Sequence, residues 1–202
     1  MKTAKQLLKA KQAVKEEMDK KFPQSLSDDL WNRAEIRLDG ILKKYSSLSG
    51  GVRTHTDHYI FPSAAIYLTL CEVTGRENAY AVIENAAIRN STEVGRKLAK
   101  LMKYPGMKGF FVFIWSPMVK KLFGPSSGFR NVFYPKKKGE YRMDVTACPY
   151  CRYFTELSCP ELTKIFCAND ERTYGNLPGL SFQRTGTLGT GADRCDFCLR
   201  KI

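Results

Sequence analysis

The sequence predicts an α+β fold, in which N-terminal helices pack on a small antiparallel sheet that carries two short helices in the C-terminal third. Up to residue 123 the apolar residues recur at helical spacing, whereas alternating strand patterns begin only near residue 129. Such a separation of helices from strands along the chain is typical of the α+β class. The composition, 43% hydrophobic and 12% aromatic, is sufficient for a packed core.

Apolar stripes and helix-breaking residues define the helical half. The first helix, expected over residues 2–18, ends before Pro23, and the most apolar one, over residues 61–74, ends at Gly75. Pro105 separates the last two helices, because proline removes a backbone donor and clashes with the preceding turn. The remaining helices are expected over residues 28–45, 77–102 and 107–123.

The C-terminal third combines short helices with strands. Proline stands at the first position of both expected helices, residues 149–157 and 160–169, where its missing N–H is tolerated. Turns are expected at residues 136–139 and, because of its glycines, at residues 189–192. The strands are expected over residues 129–134, 141–147, 180–188 and 194–201.

A loop predicted at residues 46–51 marks the only expected boundary. We therefore expect residues 1–50 to form an N-terminal helical extension and residues 51–202 to form the α+β domain.

The positive charge is concentrated in one window. The chain has a net charge of +13, and residues 96–142 contain 12 Lys or Arg against one acid, Glu140. A basic stretch of this kind attracts nucleic acid, anionic lipid or an anionic small molecule, or is simply a solvated face. The aromatic and lysine run from Tyr134 to Lys138 lacks a nucleic-acid recognition motif. We expect a small anionic substrate as partner and no nucleic acid.

Nothing in the sequence predicts a membrane span or a secreted protein. The apolar run from Gly109 to Trp115 is too short to cross a bilayer, although it could touch a membrane surface or a partner. The lysine-rich first residues lack the apolar stretch of a signal peptide. The seven cysteines, an odd number, indicate thiols in a reducing compartment, so we expect a cytoplasmic protein. Whether the chain forms a homo-oligomer stays open.

Two C-x-x-C pairs, Cys148 with Cys151 and Cys195 with Cys198, allow a zinc site or a redox pair. For zinc, the 43 residues between the pairs exceed the usual spacing. In a strand, moreover, Cys195 and Cys198 face opposite sides. The Cys-Pro-Tyr-Cys sequence is that of glutaredoxins, but too little chain follows it for that fold. We expect no metal and no cofactor.

Single cysteines give a third interpretation, in which one pocket collects several reactive groups. Cys148 begins a helix, where the helix dipole and free N–H groups favour thiolate, the nucleophilic form. Cys167 and Asp170 are three residues apart and so share one helix face. Cys195 projects from the last strand together with Phe197. Each cysteine alone could be a small buried hydrophobe, but four such positions in one compact region favour a site.

The only histidines, His55 and His58, flank Asp57. We expect a polar loop that caps the helix at residue 61, because no third metal ligand is adjacent. If that helix folds against the cysteines, one histidine could act as a base.

Four motifs in the last third occur in the order found in one family. The chain contains Cys148 after a strand, Cys167-Ala-Asn-Asp170 after a helix, Arg184-Thr185 in a strand, and Gly191 followed by Cys195-Asp196-Phe197. This pattern resembles the L-2-amino-thiazoline-4-carboxylic acid hydrolase family. Its specific part covers about a third of the chain, and Cys151, Cys159 and Cys198 lie outside it.

The resemblance implies hydrolysis of a cyclic C=N substrate that expels a thiolate and gives an N-carbamoyl amino acid. It implies catalytic roles for Cys148, Cys167, Asp170 and Cys195. Asp170 would be the acid, and Cys148 or Cys167 would attack or position water. The implied substrate-binding residues are Arg184, which would hold a carboxylate, Thr185, Gly191 and Asp196.

Two other functions stay open, because the site and not the fold decides function. The same pocket could belong to a non-catalytic module that binds or senses a small ligand. Alternatively, a zinc-stapled basic protein could bind nucleic acid.

Overall fold

The computed structural model describes residues 2–135 and 137–202, and it confirms the α+β class. A four-stranded antiparallel sheet has the order β1-β2-β4-β3. The helices are α1 (Ala4–Lys9), α2 (Gln12–Lys21), α3 (Gln24–Lys44), α4 (Gly50–His55), α5 (Phe61–Leu101), α6 (Met107–Leu122), α7 (Pro149–Glu156) and α8 (Leu162–Tyr174). The strands are β1 (Arg130–Phe133), β2 (Glu140–Ala147), β3 (Leu180–Gln183) and β4 (Cys195–Lys201).

The helical layer is organised around α5, which packs on α2, α3 and α8. Leu30 and Leu38 of α3, Phe61 and Tyr67 of α5, and Phe154 of α7 are fully buried in one core. Burial of side chains of this size stabilises the fold by roughly 1.5–3 kcal/mol each. The first 50 residues thus share a core with the rest, and a division into extension and domain at residue 50 stays a prediction.

The first predicted helix is divided into two helices, which its apolar stripe did not indicate. Residues 10 and 11 leave the helix between α1 and α2. Leu7 and Leu8 are both buried, as are Val14 and Met18. On one straight helix Leu8 would lie about a quarter-turn away from the other three. The break lets both leucines enter the core.

Gly75 interrupts α5 as predicted. Its φ of 77° and ψ of 163° fall in a region that only glycine adopts readily. The bend directs both sides of the break towards α8. Arg76, directly after the break, donates from Nε to Glu161 at 2.9 Å. The hydroxyl of Tyr67, before the break, donates to the same carboxylate.

A second apolar core lies between α6 and the sheet. The register of the sheet sets which side chains of β4 face this core. Cys195, Phe197 and Leu199 pair with Val145, Met143 and Tyr141 of β2. These alternating residues pack with α6, the next apolar layer, whose Trp115 and Val119 are buried against them. Within the described part of the chain, no helix is long and apolar enough to cross a membrane.

Three further predictions need correction or lie partly outside the structure. The strand predicted over residues 180–188 ends at Gln183, because the chain turns at Thr185. The helix predicted over residues 160–169 begins at Leu162 and continues to Tyr174. The turn predicted at residues 136–139 contains Gly139, with a φ of 74°, but its first residue, Lys136, lies outside the described residues.

We predict that Gly75→Ala lowers the free energy of unfolding by about 1–3 kcal/mol, because alanine is strained at this φ and ψ. A Cβ built at Gly75 meets no atom within 4 Å outside the adjacent backbone, so the loss comes from the backbone conformation and not from a clash with packed neighbours. Urea denaturation would measure it.

Gly40→Ala is the matched control, since Gly40 lies inside α3 with equally open surroundings. There alanine should raise the free energy of unfolding by about 0.5–1 kcal/mol. Equal effects at the two positions would contradict the assignment of strain to Gly75.

Candidate active site

A cavity of about 340 Å³ lies where α6 and α8 meet the inner face of the sheet. Aromatic and aliphatic side chains form most of its wall. Its reactive lining residues are Cys148, Cys167, Asp170, Arg184 and Cys195. Five of the eight site residues predicted from the sequence therefore meet in one cavity.

Helix α8 presents two of these groups on one face. Cys167 and Asp170 lie almost one turn apart, so both side chains point towards the sheet. The helix is held there by its own apolar side, because Leu162 and Ile165 are buried in the helical core. The sequence spacing predicted this shared face.

The Cys167 thiol is surrounded by hydrogen-bond donors. A hydrogen bond from Cys195 is the strongest influence and lowers the pKa of Cys167 to about 6. The hydroxyl of Thr187, the N–H of Gly189 and the nearby charge of Arg184 lower it further, against the opposing effect of burial. The lowered pKa favours the thiolate of Cys167, the form that attacks electrophiles.

Cys195 is the partner that keeps its proton. Because it donates to Cys167 and is buried, the pKa of Cys195 is raised far above its ordinary value. The backbone N–H of Leu188 in turn donates to the Cys195 sulfur at 3.3 Å. The pair thus holds one proton and one negative charge.

Gly189 approaches the thiolate more closely than any other residue type could. A Cβ at this position would lie 2.8 Å from Cys167 Sγ and 2.9 Å from the Thr163 methyl group. The short 3-10 turn Leu188–Thr190 that carries Gly189 is fixed by Thr187, which accepts a hydrogen bond from the backbone N–H of Thr190 at 3.2 Å.

Arg184 ties the end of β3 to α8. Its Nη1 donates to Asp170 at 2.9 Å and its Nη2 donates to the carbonyl oxygen of Cys167 at 2.8 Å. The guanidinium lies 5.8 Å and 5.4 Å from the ring centroids of Phe182 and Phe197. Only 7% of the Arg184 side chain is exposed, so the guanidinium lies inside the site and not in solvent.

Asp170 is poised to hold a proton. Burial raises its pKa from 3.8 to about 7, although Arg184 acts in the opposite direction. About a third of its side chain, 35%, is accessible. Because Asp170 lines the cavity, we assign that accessible surface to the cavity and not to bulk water.

The expected thiolate at Cys148 is not supported. Cys148 does precede α7 and does line the cavity. However, it donates a hydrogen bond to Cys151 and is half-buried, and both the hydrogen bond and the loss of water raise its pKa well above the ordinary value. The hydrogen bond lowers the pKa of Cys151 instead. The hydrogen bond between Cys148 and Cys151 therefore affects the pKa of Cys148 more than the dipole of α7 does.

The other three predicted site residues, Thr185, Gly191 and Asp196, do not line the cavity. They shape the loop that follows Arg184. The carboxylate of Asp196 accepts from the backbone N–H groups of Thr185 and Gly186 at 2.8 and 2.9 Å, and from the Thr185 hydroxyl at 2.6 Å. Gly191, with a φ of 92°, ends the turn that carries Gly189. These residues position Arg184 and Gly189.

The expected alternation along β4 is confirmed. Cys195, Phe197 and Leu199 line the cavity, whereas Cys198 is buried elsewhere. No three His, Cys, Asp or Glu side chains within residues 2–135 and 137–202 are grouped so that they could hold a metal ion.

The polar loop expected around His55 and His58 is wrong, because α4 ends at His55 and a π-helical segment, Thr56–Ile60, continues into α5. His55 lines the cavity, where the sequence gave it only a conditional role as a base. Its Nε2–H donates to the carbonyl oxygen of Leu122 at 2.7 Å, and its Nδ1 accepts from the Tyr150 hydroxyl at 3.1 Å. Burial lowers its pKa, so the ring is neutral. With both nitrogens engaged, His55 joins α4 to α6 and α7. No site role was expected for Thr187, Gly189 or Tyr150.

A cavity lined by a thiol with a lowered pKa, a carboxyl group with a raised pKa and a buried guanidinium is typical of enzymes that act on small polar molecules. Comparison with family models gives a specific result: the model for L-2-amino-thiazoline-4-carboxylic acid hydrolase matches residues 53–199. The chain belongs to this family. No curated protein and no solved structure matches the chain.

We predict that Cys167 is alkylated by iodoacetamide with a pH midpoint near 6. Its thiolate is stabilised by donors, whereas burial raises the pKa of Cys159 to about 12. Peptide-resolved mass spectrometry separates the seven cysteines.

Cys195→Ala removes the main donor and should shift the Cys167 midpoint upwards, towards the ordinary thiol value of about 8.5. Cys195→Ser keeps a donor of similar size and should shift it less. An unchanged midpoint in the alanine variant would disprove the role of Cys195.

Proposed function

We propose that this protein is a hydrolase that opens a small cyclic C=N/C–S substrate, such as a 2-amino-thiazoline-4-carboxylate, to an N-carbamoyl amino acid. The observation that carries the proposal is the Cys167 thiolate within one helical turn of a protonatable Asp170, in a cavity of suitable size. Family membership supports the same class of reaction.

The first half of the reaction opens the ring. Asp170 donates its proton to the ring nitrogen, which makes the carbon between nitrogen and sulfur more electrophilic. Cys167 Sγ attacks that carbon and forms a new C–S bond. The ring C–S bond then breaks, and the ring sulfur leaves as a thiolate.

The second half releases the product. Water adds to the same carbon, and the bond to Cys167 breaks, which restores the thiolate. Of the two protons that water and the cationic adduct give up, one returns to Asp170 and one neutralises the departed sulfur. The net change is the addition of one water molecule, and the product carries a carbamoyl group and a free thiol.

Arg184 is suited to hold the substrate carboxylate. While Asp170 is ionised, the guanidinium is paired with it. Once Asp170 carries its proton, the positive charge of Arg184 is no longer neutralised by that partner, and an anionic substrate takes its place. Substrate binding and protonation of Asp170 therefore favour each other.

We predict a bell-shaped pH dependence of kcat/KM. Activity needs Cys167 deprotonated, above a pKa of about 6, and Asp170 protonated, below a pKa of about 7. The rate should therefore be highest between these values and fall on both sides. A rate that keeps rising to pH 9 would contradict the acid role of Asp170. Release of thiol from 2-amino-thiazoline-4-carboxylate gives the readout.

We predict that Cys167→Ser and Asp170→Asn each lower kcat by about a hundredfold or more, because each removes a group that takes part in bond making or proton transfer. Circular dichroism and the denaturation midpoint would show that the fold is kept. Cys198→Ser is the matched control: Cys198 lies on the same sheet but outside the cavity, and this variant should retain activity. Full activity in both site variants would disprove the assignment, and binding without any turnover would favour a ligand-binding module.

A further inference from the structure

We infer that the natural substrate carries a bulky apolar group, aromatic or branched alkyl, attached to the polar ring that the reactive residues act on. This inference rests on the proposed function, because it names the class of substrate for the same cavity. It comes from the part of the cavity wall that the proposed reaction leaves unused.

Two rows of aromatic rings extend from the reactive residues to α6. One row begins at Arg184 and passes through Phe182 and Tyr174 to Trp115, with ring centroids 5.8 Å and 4.7 Å apart. These rings come from β3, α8 and α6 and form one side of the cavity.

The second row begins next to Cys167. Phe166 lies 5.1 Å from Tyr150, which lies 5.6 Å from His55, and His55 lies 5.1 Å from Phe129. Phe123, at the end of α6, lies 5.5 Å from Phe129 and completes the row. The neutral His55 has both nitrogens occupied and so presents an apolar ring face.

Charge is confined to one end of the space between the rows. Among the described lining residues, Asp170 and Arg184 are the acidic and basic side chains, and they bind each other. The α6 end is lined by Trp115, Met118 and Val119 instead. Apart from the indole N–H of Trp115, these three side chains offer no strong hydrogen-bonding group. An apolar group is therefore favoured at this end, because a polar group would lose water and gain few hydrogen bonds.

The size of the cavity leads to the same conclusion. A volume of about 340 Å³ lies in the range of pockets that hold drug-sized ligands, roughly 300–1,000 Å³. A single five-membered ring with one carboxylate, held at Arg184, leaves the aromatic end vacant. An attached apolar group would fill it and bury its surface between the two rows.

Fluorescence of Trp115 can measure binding without turnover. The chain has two tryptophans, and Trp31 lies on α3 in the helical core, so Trp31→Phe leaves Trp115 as the reporter in the cavity. The probes are 2-amino-thiazoline-4-carboxylate and two benzyl derivatives of it, one on the ring carbon next to sulfur and one on the exocyclic amine.

At least one benzyl derivative should bind roughly ten- to a hundredfold more tightly than the parent compound, as expected for burial of one aromatic ring. Val119→Phe, which fills the α6 end, should reduce this preference to a few-fold or less. Val94→Phe makes the same change on the exposed surface of α5 and should leave the preference intact.

The outcomes separate this inference from the proposed function. If the parent compound is hydrolysed but neither benzyl derivative binds more tightly, the inference is wrong and the function stands. If a benzyl derivative binds more tightly but no compound is hydrolysed, the cavity preference stands and the reaction is wrong. A preference that Val119→Phe and Val94→Phe reduce equally would also overturn the inference, because it would not arise in the cavity.

Discussion

The site depends on one buried charge, the guanidinium of Arg184. A cation with 7% of its surface exposed is stable only if its donors are used, and here they reach Asp170 and the carbonyl oxygen of Cys167. The same two contacts fix the end of β3 against α8. Because the guanidinium also lies against Phe182 and Phe197, the aromatic wall and the reactive groups are assembled by the same residue.

A second constraint is the alternation of side chains along β4 between the two faces of the sheet. Antiparallel pairing with β2 places Cys195 opposite Val145, at the end of the sheet nearest α8. From there it donates to Cys167, which gives one sulfur the proton and the other the charge. The two C-x-x-C pairs therefore contribute through single members: Cys148 and Cys195 line the cavity, while Cys151 and Cys198 do not.

Local patterns in the sequence predicted much of this arrangement. Helical spacing placed Cys167 and Asp170 on one face, strand alternation separated Cys195 from Cys198, and Gly75 marked the break in α5. The position of Arg184 was less predictable, because the strand that was expected to carry it ends at Gln183. The state of Cys148 was also unpredictable, since it depends on where the Cys151 sulfur lies. The aromatic rows join residues from α4, α6, α7, α8 and the sheet, and no local period encodes such distant contacts.

The proton on Asp170 also links the site to the stability of the whole chain. In the unfolded chain this carboxyl ionises near its ordinary pKa of 3.8, whereas in the folded protein it does so near 7. Between these values the folded state holds a proton that the unfolded state has released. The contribution of Asp170 to stability is therefore complete below about pH 4 and is lost as the pH rises through 7. The group that we assign to proton transfer thus makes the folded protein less stable in alkaline solution.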